Sequence, residues 1–99
     1  MTRLIVLSDK AKSDIDGIWT FTLETWGLEQ AEDYITRISL ALHRLADNPL
    51  TGSDRSAVKP RYRKLTIGSH AIFCRHDDHT LEIVRVLHAR MDAGVLSED

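Results

Sequence analysis

The stretch RYRKLTIGSHAIFCRHDDHTLEIVRVLH, residues 61–88, alternates between apolar and polar side chains over much of its length. A period of two residues is typical of β-strands, and it predicts strands at residues 61–67, 71–75 and 80–88. The pairs Gly68-Ser69 and Asp77-Asp78 separate these segments and favour tight turns. This part of the chain is therefore predicted to form an antiparallel sheet.

Two-residue loops at both turns would set the register of this sheet, because a turn of known length decides which residues face each other. Leu65 would then lie opposite Ile72, and Ile72 opposite Ile83. The side chains that this register places on one face are mostly apolar and suit contact with helices. They are Leu65, Ile67, Ile72, Cys74, Leu81, Ile83 and Leu87.

The opposite face of the predicted sheet mixes apolar and charged side chains. Ala71, Phe73, Val84 and Val86 lie there among polar neighbours. Helices that cover the first face do not also cover this one, and soluble proteins rarely leave a large apolar patch open to water. We therefore expect a partner to cover this second face.

The N-terminal half of the chain has the period of helices. A short aliphatic run at residues 4–7 predicts a strand, and Ser8 follows it as a helix N-cap. Apolar residues then recur every three or four positions up to Gly27, and again up to Asn48-Pro49, which predicts an antiparallel two-helix hairpin. Residues 50–60 are predicted to form a loop, and residues 90–99 a short helix or a tail. The predicted fold is α+β, in the order β-α-α-β-β-β(-α), within one domain of residues 1–99.

Composition and charge exclude several classes of protein. A single cysteine excludes an internal disulfide, and the N-terminus lacks the apolar run of a signal peptide, so we expect a cytoplasmic protein. A formal net charge of -2 argues against a protein that coats nucleic acid through bulk charge. Acids predominate from Asp9 to Asp33 and bases from Arg55 to Lys64, so the molecule should be two-sided in charge.

Several separated segments resemble the ParE-type toxins of the RelE/ParE superfamily, over residues 7–92. They include the first helix, the turn at Trp26-Gly27, the helix exit through Pro49 and Gly52, and the strand segments HAIFCR at 70–75 and EIVRVLHARMD at 82–92. The resemblance implies a two-helix hairpin packed on a small, mainly antiparallel sheet. It also implies a ParD-like antitoxin as partner, DNA gyrase as the target, and a role in plasmid stabilization. Inhibition by binding is implied, without a cofactor or a metal.

Two sets of contact residues are predicted. Aromatic anchors dominate many interfaces, and we expect the antitoxin to cover Trp19, Trp26, Phe73, Val84 and Val86. The helical spacing of the two tryptophans also fits packing in the core, above all for Trp19. Target contacts are expected from the cationic side of the sheet and from the C-terminal segment. These residues are Arg63, Lys64, Arg75, His88, Arg90 and Met91.

RNA cleavage is the alternative, because RelE-type relatives cut messenger RNA on the ribosome. That reaction requires a general acid, a general base and cations around the phosphate. The chain lacks the tyrosine that many such relatives carry near the C-terminus. A third alternative is a non-toxic relative that only binds the antitoxin. The candidates for an RNA-cleaving site are Arg61, Arg63, Arg75, Arg85 and His88.

Two of the conspicuous residue groups have structural roles in our interpretation. Arg85 lies between apolar neighbours on its strand, and we expect it to pair with Asp14 or Asp16 of the first helix. Cys74, His76 and His79 are residue types that bind metals, and the short turn would place the two histidines opposite each other. A core-facing cysteine and solvated hairpin histidines are the commoner roles, so no metal site is predicted.

Overall fold

The computed structural model describes residues 2–55 and 61–90. Its elements in chain order are strand β1 at Leu4–Leu7, helix α1 at Asp9–Trp26, helix α2 at Leu28–Asp47, a 3-10 turn at Pro49–Thr51, and strands β2 at Ser53–Asp54, β3 at Arg63–Ile67, β4 at His70–His76 and β5 at Thr80–His88. This is the predicted α+β order, except that a 3-10 turn and the short strand β2 lie where the sequence predicted only a loop. Residues 56–60 of the predicted loop and residues 91–99 of the predicted tail lie outside the described residues.

The two helices begin and end where the sequence predicts. Ser8 is the N-cap of α1, and its Oγ accepts a hydrogen bond from Ala11 N at 3.0 Å. The same hydroxyl donates to Val84 O at 2.7 Å, which connects the start of α1 to β5. Gly27 joins the helices with a φ of 93°, a backbone conformation that glycine adopts without strain. Asn48 is the C-cap of α2.

The strands of the described residues form a five-stranded sheet in the order β1-β5-β4-β3-β2. β1 pairs with β5 in parallel, a position that the sequence left open, and the other pairs are antiparallel. The helical hairpin packs on one face of this sheet. The buried core between them consists of Ala11, Ile18, Ile38, Ala41, Leu42, Leu45, Ala46, Ile72, Cys74, Leu81, Ile83 and Val86. In the part of the chain that the structure describes, neither helix has the length and apolar character needed to cross a membrane.

The register of the β3–β4 pair is as predicted, whereas that of the β4–β5 pair is not. Leu65 lies opposite Ile72, as the turn at residues 68–69 requires. Ile72, however, lies opposite Val86 and not Ile83, so that prediction was wrong. One cause is a bulge beside residues 73 and 74, which inserts an extra residue into β5 and shifts all the pairs beyond it.

The other cause is the loop between β4 and β5, which is longer than two residues. Asp77 Oδ1 accepts hydrogen bonds from His79 N at 2.8 Å and from Thr80 N at 2.7 Å, and these bonds hold a wider turn. His76 therefore lies opposite Leu81. The predicted pairing of His76 with His79 was wrong.

The apolar sheet face that we expected to be open is closed within this chain. Val86 is 3% exposed and faces the helices, because the bulge turns it, and not Leu87, toward the core. Phe73 is 5% and Val84 9% exposed, so neither is available on the surface. The expectation that Phe73, Val84 and Val86 lie exposed was therefore wrong. On the side away from the core, the structure has a second buried cluster of Tyr62, Ala71, Phe73, Val84 and Leu87.

Candidate functional site

A groove of about 730 Å³ lies between the helices and the end of the sheet where β4 begins and β5 ends. Its α1 wall includes Phe21 and Trp26, and its sheet wall includes Val86 and Leu87. A long apolar groove with polar groups at defined places is the usual form of a binding site. We define the partner groove by its lining, which also contains Asp14, Ile18, Thr22, Gln30, Tyr34, His70, Arg85 and His88.

The apolar wall of the partner groove is exposed to a degree that is unusual for aromatic side chains. Phe21 is 65% and Trp26 68% exposed. Trp19 is only partly exposed and is not part of the lining. Large rings left in water mark surfaces that contact other macromolecules. Of the two tryptophans, therefore, Trp26 is the one that lies exposed in the partner groove.

The interior of the groove contains an ion pair between α1 and β5. Arg85 donates from Nε to Asp14 Oδ2 at 2.8 Å and from Nη2 to Asp14 Oδ1 at 2.9 Å. Asp14 Oδ2 also accepts from Val86 N at 2.9 Å. The side chains of Arg85 and Asp14 are 15% and 14% exposed, so the pair lies largely away from water. The predicted pairing of Arg85 with an acid of the first helix is confirmed, with Asp14 as the partner.

At the polar end of the groove, Tyr34, His70 and His88 are connected by hydrogen bonds and ring contacts. Tyr34 Oη accepts from Ser69 N at 3.1 Å and lies 3.2 Å from Ile67 O and 2.5 Å from His70 Nδ1. The three contacts are all satisfied when Tyr34 donates to Ile67 O and His70 donates from Nδ1. Burial, followed by the neighbouring His88, lowers the pKa of His70, which favours this neutral form at pH 7.

His88 is the outermost member of this network. Its ring centroid lies 5.5 Å from that of His70, in an edge-to-face arrangement. Its Nδ1 accepts from Arg90 N at 3.1 Å, so Nε2 is the nitrogen left for a ligand or water. The histidine that we predicted as a target contact therefore lies at the mouth of the partner groove.

The other predicted cations lie elsewhere. Arg63 donates from Nε and Nη2 to Gly52 O, at 2.9 and 2.7 Å. Arg75 is ion-paired with Glu82 on the neighbouring strand. The Nζ of Lys64 lies 6.0 Å from the centroid of the Phe73 ring.

The structure does not gather the residues proposed for RNA cleavage. Arg85 and His88 belong to the partner groove, whereas Arg61, Arg63 and Arg75 line cavities at the opposite end of β4. Of the predicted target contacts, Arg90 is exposed just after β5 and Met91 lies outside the described residues.

Cys74 is buried in the core, as its strand position predicts. Burial raises the pKa of its thiol to about 11, against a smaller opposing effect of Arg63. Among residues 2–55 and 61–90, no three side chains of the metal-binding types are grouped around a common point.

Most residues of the partner groove were not predicted as site residues, among them Phe21, Tyr34 and His70. Phe21 lies off the predicted apolar stripe of the first helix, and an aromatic ring on a polar face was the signal that could have identified it. Tyr34 and His70 are separated by 36 positions, and only the packing of α2 against the sheet brings them together.

A helical hairpin packed on a mainly antiparallel sheet is a fold that chains of solved toxin–antitoxin complexes share. The chromosomal ParDE system from P. aeruginosa has a chain that matches with a TM-score of 0.74 and 21% identity, over 88% of this chain and 96% of that one. A chain of the RelBE2 complex from Mycobacterium tuberculosis matches with a TM-score of 0.62 and 19% identity, over 89% and 99%. At these identities the likeness concerns the fold.

The sequence comparisons identify the family. Residues 5–93 match the ParE toxin family of the type II toxin–antitoxin system parDE. Toxin ParE1 of Mycobacterium tuberculosis is 41% identical over 93 residues, which are 93% of this chain and 95% of that protein. Toxin ParE1 of Caulobacter vibrioides is 39% identical over 87 residues, 88% and 90% of the two chains. The chain belongs to the ParE toxin family of type II toxin–antitoxin systems.

Proposed function

We propose that this protein is a toxin that inhibits DNA gyrase by binding it in the cytoplasm, and that a ParD-like antitoxin neutralises it by occupying the partner groove. The observation that carries the antitoxin part of the proposal is the exposure of Phe21 and Trp26 along a groove of about 730 Å³. An amphipathic segment that is disordered when free is the chemistry that fits such a groove.

The size of the aromatic wall supports a stable complex. Two aromatic rings of this kind remove on the order of 250 Å² of apolar surface from water when a partner covers them, which corresponds to about 6 kcal/mol before entropy and desolvation are subtracted. Phe73, Val84 and Val86 are buried within the chain and so do not offer a first contact. The antitoxin surface in this proposal is therefore the wall of α1, with Trp26 retained from the predicted set.

The polar end of the partner groove suggests which side chains the antitoxin presents there. His88 has Nε2 available, and Gln30 adds amide groups to the lining. Asp14 is already engaged by Arg85, so the described lining of the groove has no carboxylate left without a partner. An acidic or hydroxyl side chain of the antitoxin would be an acceptor for His88 in this arrangement.

Binding, and not catalysis, is the action that we infer for the toxin. Nucleophile activation and leaving-group protonation would need the acid, the base and the cations within reach of one phosphate. The separation of Arg85 and His88 from Arg61, Arg63 and Arg75 supports an inhibitor that acts by contact.

A supercoiling assay with purified DNA gyrase tests the target. The purified chain is expected to inhibit supercoiling in proportion to its concentration, and addition of a ParD-like antitoxin is expected to restore activity. An in vitro translation reaction is run in parallel to follow messenger RNA. Codon-specific cuts in the messenger, with gyrase unaffected, would show that the chain acts as a ribonuclease instead.

A further inference from the structure

The end of the sheet opposite the partner groove has two adjoining cavities, of about 230 and 450 Å³. They meet at Arg61 and His76, which line both. Arg75 lines the first cavity and Arg63 the second. None of these residues belongs to the lining of the partner groove. Three guanidinium groups and an imidazole therefore lie together where β3 begins and β4 ends.

Arg61 has an unusual backbone and an uncommitted side chain. Its φ of 67° lies in the left-handed region, the only such value for a non-glycine residue among those described. This conformation costs a bulky residue on the order of 1–3 kcal/mol and is concentrated at functional sites. Within residues 2–55 and 61–90, the structure gives the Arg61 side chain no hydrogen bond or ion pair. Its guanidinium is therefore available to a ligand.

His76 has a polar atom without a partner. Its Nδ1 is buried and makes no hydrogen bond, the only such side-chain atom among the described residues. Buried polar atoms are almost always paired in folded proteins, so the unpaired Nδ1 of this lining residue is an atom that a ligand or a water molecule would satisfy. Burial, followed by Arg3 and Arg63, lowers the pKa of His76 against the smaller opposing effects of Asp77 and Asp78. Arg3 and Arg63 therefore lie close enough to His76 to disfavour its cationic form.

The carboxylates around the cavities are already engaged. Glu82 is paired with Arg75. Asp77 accepts hydrogen bonds from two backbone amides of the β4–β5 loop. Asp54 also has a partner. An anion that enters the cavities would therefore meet Arg61 as a cation without an acid of its own among the described residues, whereas Arg75 is paired with Glu82.

We propose that Arg61, His76, Arg63 and Arg75 form a binding site for a phosphate group, carried by a nucleic-acid backbone or by a small phosphorylated molecule. Guanidinium groups donate paired N–H bonds that match the oxygens of a phosphate, and several of them approach one tetrahedral group from different sides. The two guanidinium N–H groups that Arg63 donates to Gly52 O hold its side chain in place at the cavity. The site is separate from the partner groove and does not depend on the proposed function.

The test is a titration of the purified chain with inorganic phosphate at constant ionic strength, followed by the NMR signals of the backbone amides of residues 75–77. We expect saturable shifts, and a dissociation constant raised by at least about tenfold in Arg61→Gln, as the loss of a charge-assisted hydrogen bond implies. His76→Gln should weaken binding in the same direction. The matched control is Arg44→Gln, which removes the same charge from an exposed position on α2. This control should bind phosphate as the unmodified chain does.

A second titration, with a short single-stranded oligodeoxynucleotide, identifies the source of the phosphate. Saturable shifts of the same amides, lost in Arg61→Gln, would assign the site to a nucleic-acid backbone. Saturation by inorganic phosphate with no effect of the oligonucleotide would assign it to a small phosphorylated molecule. Shifts that stay linear with both ligands, or that are equal in Arg61→Gln and Arg44→Gln, would overturn the proposal.

Discussion

Gly68 lies directly against the ring of Tyr34, so closely that a β-carbon at position 68 would come within 2.7 Å of Cε1 and 2.9 Å of the phenolic oxygen. The φ of Gly68 is 55°, in the region that L side chains rarely adopt. The turn between β3 and β4 thus depends on glycine twice, for its backbone and for the space that Tyr34 occupies. The hydrogen bonds of Tyr34 with Ile67 O and Ser69 N connect this turn to α2.

Replacement of Gly68 by alanine should destabilise the protein. Gly68→Ala is expected to lower the free energy of unfolding by about 1–3 kcal/mol, because the methyl group displaces Tyr34 and the backbone is strained. Urea denaturation measures the change. Gly17→Ala is the control: it lies within α1 with nothing within 4 Å of the new carbon, and it should stabilise by about 0.5–1 kcal/mol. Equal effects of the two variants would contradict this account.

The pair of Asp14 and Arg85 should contribute strongly to stability once one partner is removed. Asp14→Asn is expected to lower the free energy of unfolding by about 2–4 kcal/mol, because it leaves the guanidinium largely buried without its counter-charge. Asp16→Asn, an exposed acid on the same helix, should change it by less than about 0.5 kcal/mol. If Asp14→Asn does not fold, the double variant Asp14→Leu/Arg85→Met should recover folding. If the double variant also fails to fold, the ion pair itself is required for folding, and an apolar pair cannot replace it.

Cys74 should be inert in the folded protein. With the thiol pKa at about 11, only about one molecule in a thousand carries a thiolate at pH 8. The expected result is slow reaction with a chromogenic disulfide reagent in native buffer and stoichiometric reaction within minutes in guanidinium chloride. Rapid labelling under native conditions would show that the core between β4 and the helices opens readily.

Stability should decrease as the pH falls below 6.5. Burial and His88 lower the pKa of His70 in the folded state from 6.5, so the unfolded chain binds more protons than the folded one just below that value. The free energy of unfolding must then fall with decreasing pH until the folded-state pKa is reached. The midpoint of urea denaturation, measured between pH 8 and pH 5, reports this effect.

His70→Gln should reduce the dependence of stability on pH in that range. Part of the dependence will remain, because the pKa of His76 is lowered as well. His43→Gln, an exposed histidine on α2, controls for the replacement itself. A slope unchanged by His70→Gln would mean that His70 is not the group responsible.

Trp26 should matter for the antitoxin and little for folding. Trp26→Ala is expected to weaken binding of a ParD-like antitoxin by at least about tenfold, as for aromatic anchors in other interfaces. Its thermal stability should remain close to that of the unmodified chain, since the ring is 68% exposed. Leu50→Ala, a side chain 70% exposed on the 3-10 turn, should bind normally in calorimetric titrations. Normal binding by Trp26→Ala would move the antitoxin surface away from the partner groove.

Local signals in the sequence predicted the elements well. Ser8, Gly27 and Asn48 mark the ends of the helices because caps and a glycine with positive φ act within a few residues. The turn at residues 68–69 was also predictable from local sequence, and its length correctly sets Leu65 opposite Ile72. The pairing of Arg85 with an acid of the first helix was also predictable, because a guanidinium among apolar neighbours needs an acid; the choice of Asp14 over Asp16 was not.

The sequence did not predict the partner groove, nor that the second cluster is buried and contains Leu87 in place of Val86. A bulge beside residues 73 and 74 exchanges the roles of Val86 and Leu87, and the loop that Asp77 holds moves His76 away from His79. The bulge forms only when the two strands pair, whereas the loop is held by local hydrogen bonds of Asp77, which residue period does not reveal. The residue period alone therefore placed the open surface on the wrong side of the sheet.

The sequence by itself determined two helices, the strand segments that follow them and the family, because capping, turn geometry and residue period act locally along the chain. The tertiary structure decided the position of β1 beside β5, the register of β4 with β5, and the meeting of Phe21, Trp26 and His88 at one groove. Those features rest on contacts between residues far apart in the chain, whose free energy depends on packing that no local pattern encodes.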